Sequence, residues 1–290
     1  MTQIIETLSD ISDNYEAMFV DLWGCLHNGV TAFPAAVEAL QAYRAKGGVV
    51  VLVTNSPRPR AEVAKQLVTF GVPDDCWDNI ASSGDSARSA MFQGTVGNKV
   101  WFVGTEAELP FFEPLKLIDS PVAIERVPLE EAEGIVCTGP FDAGADPAAL
   151  RPQFLYAKQN GLKLLCANPD IVVDRGEKRE WCAGALAALY TEMGGESLYF
   201  GKPHPAIYDL ARRRLYEVAP DLPDSAILAV GDGVKTDILG AIGEDLDSLF
   251  VTGGLAAEET RTGEHPHEEA LLAFLAGEGI SPTYSIGFLR

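Results

Sequence analysis

The chain has 290 residues, 47% of them hydrophobic and 22% charged, which suits one large or two moderate domains with a buried core. Its 42 acidic and 22 basic side chains give a formal net charge of −20, so it lacks the clustered cations of a nucleic-acid binder or a binder of anionic membranes. A small anionic substrate stays open, because a divalent cation held by carboxylates supplies local positive charge.

Met1 to Asn14 is acidic and polar and reads as no signal peptide. No stretch approaches the roughly 20 apolar residues of a membrane helix. The five cysteines (Cys25, Cys76, Cys137, Cys166, Cys182) form no CxxC pair and no metal-ligand spacing. They read as small buried hydrophobes in a reducing compartment, with cytoplasm the expected location. The apolar run Ala17-Met18-Phe19-Val20 delivers Asp21 into a glycine turn, and Phe19–Leu22 reads as a strand. Pro34 to Lys46 reads as a helix: proline suits its first turn, Val37, Leu40 and Tyr43 share a face, and Gly47-Gly48 ends it. Val49–Val53 is a continuous apolar run of the kind buried on both faces of a parallel sheet. Arg60 to Phe70 is a second amphipathic helix, closed by Gly71.

This βαβα order predicts an α/β fold, a doubly wound parallel sheet with functional groups at the carboxyl ends of its strands. The last third repeats the pattern, with a helix over Pro205–Tyr216, a strand over Ala226–Val230, a short helix over Thr236–Ile242 and a strand over Leu249–Val251. Between them, strands and helices are expected at Val100–Val103, Gly134–Cys137, Pro147–Gln159, Leu162–Cys166 and Trp181–Met193. The simplest organisation is a core of residues 1–83 and 197–290 interrupted by an inserted domain, 84–196.

Four segments end or follow apolar strands and carry polar groups suited to a phosphoryl site. They are Asp21-Leu22-Trp23-Gly24, Thr54-Asn55-Ser56, Gly201-Lys202-Pro203, and Gly231-Asp232 with Asp237 five residues on. Each has a plain alternative: turn former, helix cap, surface turn. Four in this order are hard to produce as accidental turns.

These segments resemble the four motifs of the haloacid dehalogenase superfamily. Ala167-Asn168-Pro169-Asp170, Cys182-Ala183-Gly184-Ala185-Leu186 and Gly201-Lys202-Pro203-His204-Pro205 are similar to the class IIA branch, that of nitrophenylphosphatase-like and phosphoglycolate-phosphatase-like proteins. The resemblance implies a Rossmann-like core with an inserted α/β cap of C2 type, and Asp21 as a nucleophile that forms an aspartyl-phosphate. It implies Mg²⁺ held by Asp21, the backbone carbonyl of Trp23, Asp232 and Asp237. It implies Thr54 and the backbone N–H groups of Gly24 and Asn55 on the phosphoryl oxygens, with Lys202 neutralising charge. Caps of this class pair subunits, which makes a homodimer one option and leaves the oligomeric state open.

Trp23 departs from the pattern. Family phosphatases carry a second, acid/base aspartate there, and an indole N–H has no proton to exchange. His27 is the nearest titratable substitute, although a solvated loop histidine is the plainer expectation. The stretch Asp174-Arg175-Gly176-Glu177-Lys178-Arg179-Glu180-Trp181 is the most cationic cluster of the chain. Arg175, Lys178 or Arg179 would meet a substrate anion, or the run is a solvated loop. The expected function is Mg²⁺-dependent hydrolysis of a small phosphorylated metabolite. The alternatives are a binding or regulatory protein with impaired catalysis, or phosphoryl transfer through the same aspartate.

Overall fold

A computed structural model describes residues 2–114, 120–175 and 178–290, with the side chains of Asp174 and Arg175 outside the description. The chain divides into two compact units. The first comprises Met1–Thr54, Ala64–Ala81 and Ile207–Arg290; the second comprises Asn55–Val63 and Ser82–Ala206.

The first unit is built on a seven-stranded sheet in the order Gln3–Ile4, Tyr284–Ile286, Asp247–Val251, Ile227–Gly231, Ala17–Val20, Val49–Thr54, Asn79–Ser82. The pairings from Gln3–Ile4 across to Val49–Thr54 are parallel, with Val20 opposite Val230 on one side and Leu52 on the other. Strand periodicity sorts the side chains: Ala17, Phe19, Val51, Val53, Ile227 and Ala229 join one apolar cluster. Against it lies the helix Pro205–Tyr216, whose Ile207, Leu210, Ala211 and Leu215 follow helical spacing. Each such fully buried large apolar side chain is worth roughly 1.5–3 kcal/mol. A separate cluster unites Phe250 with Val234, Ile238, Leu271 and Leu275. The sheet is thus a doubly wound one, as the alternation predicts.

The second unit holds a five-stranded parallel sheet in the order Glu196–Tyr199, Lys163–Cys166, Gly134–Cys137, Lys99–Val103, Glu125–Arg126. Its alternation is equally clean. Ile135, Cys137, Leu164 and Cys166 pack with Phe154, Leu186 and Tyr190, while Val136 and Leu165 pack with Ala87, Met91 and Phe111. Two expectations change here. The segment Trp181–Met193 is two elements, a strand ending at Trp181 and a helix over Ala183–Glu192. The cationic run is an antiparallel hairpin, Val172–Arg175 against Lys178–Trp181, in place of a solvated loop. The helix Ser83–Phe92, unforeseen from the sequence, starts where the Ser82 hydroxyl accepts from the Asp85 amide at 3.1 Å.

Candidate active site

Three neighbouring strands of the first unit end together, and each delivers one candidate side chain. Asp21 follows Ala17–Val20, Thr54 closes Val49–Thr54, and Asp232 follows Ile227–Gly231. The carboxyl ends of adjacent parallel strands leave backbone groups unpaired and loops diverging, which is why polar side chains gather there. The Asp21 amide still donates to Val230 O at 2.9 Å, so the residue is held by the sheet itself. All three side chains are buried.

Beyond Asp21 the chain folds back at once. The amides of Leu26 and His27 both donate to Leu22 O, at 2.8 and 3.1 Å. This turn sets residue 25 beside residue 21. The Sγ of Cys25 and carboxylate oxygens of Asp21 and Asp232 all lie within 4.8 Å of one another. Gly24 sits at φ +78°, and a Cβ there would fall 2.0 Å from Asp232 Oδ2. Gly254 presses on the same atom, its Cβ position also 2.0 Å away, while the Leu255 amide donates to Asp232 Oδ2 at 3.0 Å. Two glycines and an amide therefore form a close cradle for one carboxylate. The Gly24 amide donates to His27 O at 3.0 Å, and the lack of a side chain at Gly24 leaves room for Asp232.

Asp237 lies outside that donor set. Its Oδ2 accepts from the Gly233 amide at 3.0 Å and from Thr236 Oγ1 at 3.2 Å. Gly231 has no space for a side chain, because a Cβ would stand 2.2 Å from Asp237. Asp237, on the π-helical turn Val234–Ile238, orders the loop that carries Asp232.

In the second unit, the Asn55 side chain binds the Lys202 backbone twice. Its Oδ1 accepts from the Lys202 amide at 2.7 Å, and its Nδ2 donates to Lys202 O at 3.3 Å and to Asp170 Oδ1 at 2.8 Å. Lys202 is only 4% exposed. The sequence reading valued Asn55 for its backbone N–H and did not single out Asp170 as a partner. Lys178 stands on the exposed hairpin and ion-pairs with Glu180 at 3.1 Å, a surface contact of small energetic weight. Arg175 ends the neighbouring strand, and its side chain lies outside the described residues.

His27 is no solvated loop residue. It is 3% exposed, its Nδ1 accepts from the Gly29 amide at 3.0 Å, and its ring meets Trp23 and Phe70 edge-on at 5.3 and 4.8 Å. Burial pulls its pKa down to about 4. It is therefore neutral near pH 7 and cannot act as a ready proton donor. A linkage effect follows. Below pH 6.5 the unfolded chain takes up a proton that the folded chain refuses until about pH 4, so stability falls as pH drops through that window. Urea unfolding should show His27→Gln losing about 2 kcal/mol of the stability difference between pH 7 and pH 5. An unchanged pH slope would contradict the buried neutral ring.

A doubly wound sheet whose adjacent strand ends bring two buried carboxylates and a hydroxyl together is the architecture of an α/β enzyme. Comparisons with known proteins agree. Residues 18–116 match the family model described as haloacid dehalogenase-like hydrolase, and residues 199–273 match a second HAD-hydrolase-like model. A crystal structure of a hydrolase of the haloacid dehalogenase-like family from Brucella suis 1330 is 37% identical, with a TM-score of 0.86, over 99% of this chain and 100% of that one. Chloroplastic phosphoglycolate phosphatase 1A of Arabidopsis thaliana is 26% identical over 88% of this chain and 74% of its own length. A glycerol phosphate phosphatase of Mycobacterium tuberculosis, crystallised with calcium, is 25% identical with a TM-score of 0.66 over 95% of this chain and 74% of that one. The chain belongs to the haloacid dehalogenase-like hydrolase family, in its class IIA branch. It is an enzyme of a family whose phosphatases act on small phosphorylated metabolites. Among the described residues no helix is long and apolar enough to cross a membrane.

Proposed function

We propose that the protein is a Mg²⁺-dependent phosphatase of a small phosphorylated metabolite, with Asp21 as nucleophile. The observation that carries this reading is the convergence of Asp21 and Asp232, both buried, at neighbouring strand ends. Residues 84–196 are proposed as the cap.

The residues suit a divalent cation. Two buried carboxylates this close repel unless a positive charge joins them, and the Gly24–Gly254 cradle keeps Asp232 turned toward that position. Asp21, the Trp23 carbonyl and Asp232 would hold the ion, which when bound neutralises negative charge on the phosphoryl oxygens. The rest is done by the chain. An Asp21 oxygen attacks phosphorus, the ester P–O bond breaks, and its electron pair leaves on the alcohol oxygen. Water then attacks phosphorus, inorganic phosphate departs, and the carboxylate is regenerated. The Thr54 hydroxyl donates to a phosphoryl oxygen. Within the second unit, Asn55 holds the Lys202 backbone in place.

The leaving oxygen needs a proton that neither the Trp23 indole nor a neutral His27 provides. A missing general acid costs about 10²–10⁴-fold, least for aryl and acyl phosphates, whose leaving groups are weak bases. This observation favours a second reading as well, a metabolite-binding protein with residual turnover. One experiment separates them: a phosphoester panel with Mg²⁺ on the wild type and on Trp23→Asp. The phosphatase reading expects wild-type turnover biased to aryl and acyl esters, and a gain of about 10²-fold on alkyl esters in the variant. Binding without wild-type turnover selects the second reading. Decreased turnover in Trp23→Asp would assign the indole a positive role.

A further inference from the structure

Cys25 is the part of this centre that the hydrolytic chemistry leaves unused. The turn after Asp21 sets it four residues beyond the nucleophile, 1% exposed, with its sulfur facing oxygens of both Asp21 and Asp232. It also lines a cavity of about 170 Å³ walled by Phe33, Pro34, Phe288 and Leu289. Water-retaining Mg²⁺ gains nothing from such an apolar flank or from sulfur, for it wants oxygen ligands and several waters in octahedral array. One thiolate and two carboxylates are instead a donor set for softer, lower-coordinate cations, which bind sulfur at about 2.3 Å and oxygen at about 2.0–2.2 Å.

We propose that Cys25 is a third side-chain ligand of this centre, so that a thiophilic divalent cation, Zn²⁺ or Cd²⁺, binds through Asp21, Cys25 and Asp232 in competition with Mg²⁺. Binding breaks the S–H bond, releases its proton to solvent and forms the sulfur–metal bond. The other cysteines offer no such set. None of them groups with two carboxylates among the described residues.

The inference rests on the carboxylate pair being the cation site proposed above, but its readout is binding and needs no turnover. Cd²⁺ titrated into the full chain should produce thiolate-to-cadmium charge-transfer absorption in the ultraviolet, which added Mg²⁺ suppresses. Cys25→Ser should lose that absorption and weaken Cd²⁺ at least about tenfold, the lower end of what losing even an outer-shell partner costs a metal site. An equal band in Cys25→Ser, or no band in the wild type, overturns the proposal. Should the serine variant fold poorly, Asp232→Asn carries the test: Cys25 remains, and Cd²⁺ affinity should still fall at least about tenfold. Unchanged affinity there also overturns it. An inactive phosphoester panel beside a Cys25-dependent band would sink the phosphatase reading alone.

Discussion

Asp21→Asn is expected to lower Mg²⁺-dependent turnover of p-nitrophenyl phosphate by at least about 10³-fold. The carboxamide is almost the same size and keeps the backbone bond to Val230 O, but its oxygen is a poor nucleophile. The melting temperature should stay level or rise. Asp21 and Asp232 are buried carboxylates with oxygens within 4.8 Å, and neutralising one removes like-charge repulsion in the metal-free protein. A lost reaction in a protein of unchanged stability is the pattern of a residue placed for chemistry at a cost in stability. Undiminished turnover would remove Asp21 as nucleophile. A collapse in melting temperature would instead make the loss one of folding.

The second large effect concerns glycines. Gly24→Ala combines two penalties, a left-handed backbone at φ +78° and a methyl 2.0 Å from Asp232 Oδ2. The other two substitutions separate them. Gly47→Ala at φ +97° meets nothing within 4 Å, so it carries strain alone. Gly254→Ala strikes Asp232 Oδ2 at 2.0 Å without a left-handed backbone. Strain should cost Gly47→Ala about 1–2 kcal/mol in unfolding free energy with turnover nearly intact. Displacing Asp232 should cost Gly254→Ala at least about 10²-fold in turnover, because small misplacements at a reacting centre are amplified. Gly24→Ala should show both losses. Turnover surviving in Gly24→Ala and Gly254→Ala would mean that the position of Asp232 is not critical.

Much of this was legible in the chain. Val49–Val53, Arg60–Phe70, Gly134–Cys137 and Pro205–Tyr216 announce themselves because a continuous apolar run or a helical stripe can be buried in one way only. The structure sets these elements within a residue of the predicted bounds. Other elements hid. The helix Ser83–Phe92 opens on Ser-Gly-Asp-Ser, a turn-like composition, and its start depends on the Ser82 cap. The paired strands Val172–Arg175 and Lys178–Trp181 both carry charged residues, so they have no alternation to read. His27 looked solvated because one cannot see from Leu26-His27-Asn28 that Trp23 and Phe70 close over it.

By itself the sequence determined the doubly wound architecture and set Asp21, Thr54 and Asp232 at or just after strand ends, since periodicity and strand-end position are local properties. Only the tertiary structure decided that Cys25 turns toward the two carboxylates, that Gly24 and Gly254 are spaces for one oxygen of Asp232, and that Asn55 grips Lys202. Those facts join residues far apart in the chain, or depend on which way a loop turns. Sequence spacing carries no information about either until the sheets have brought the strand ends together.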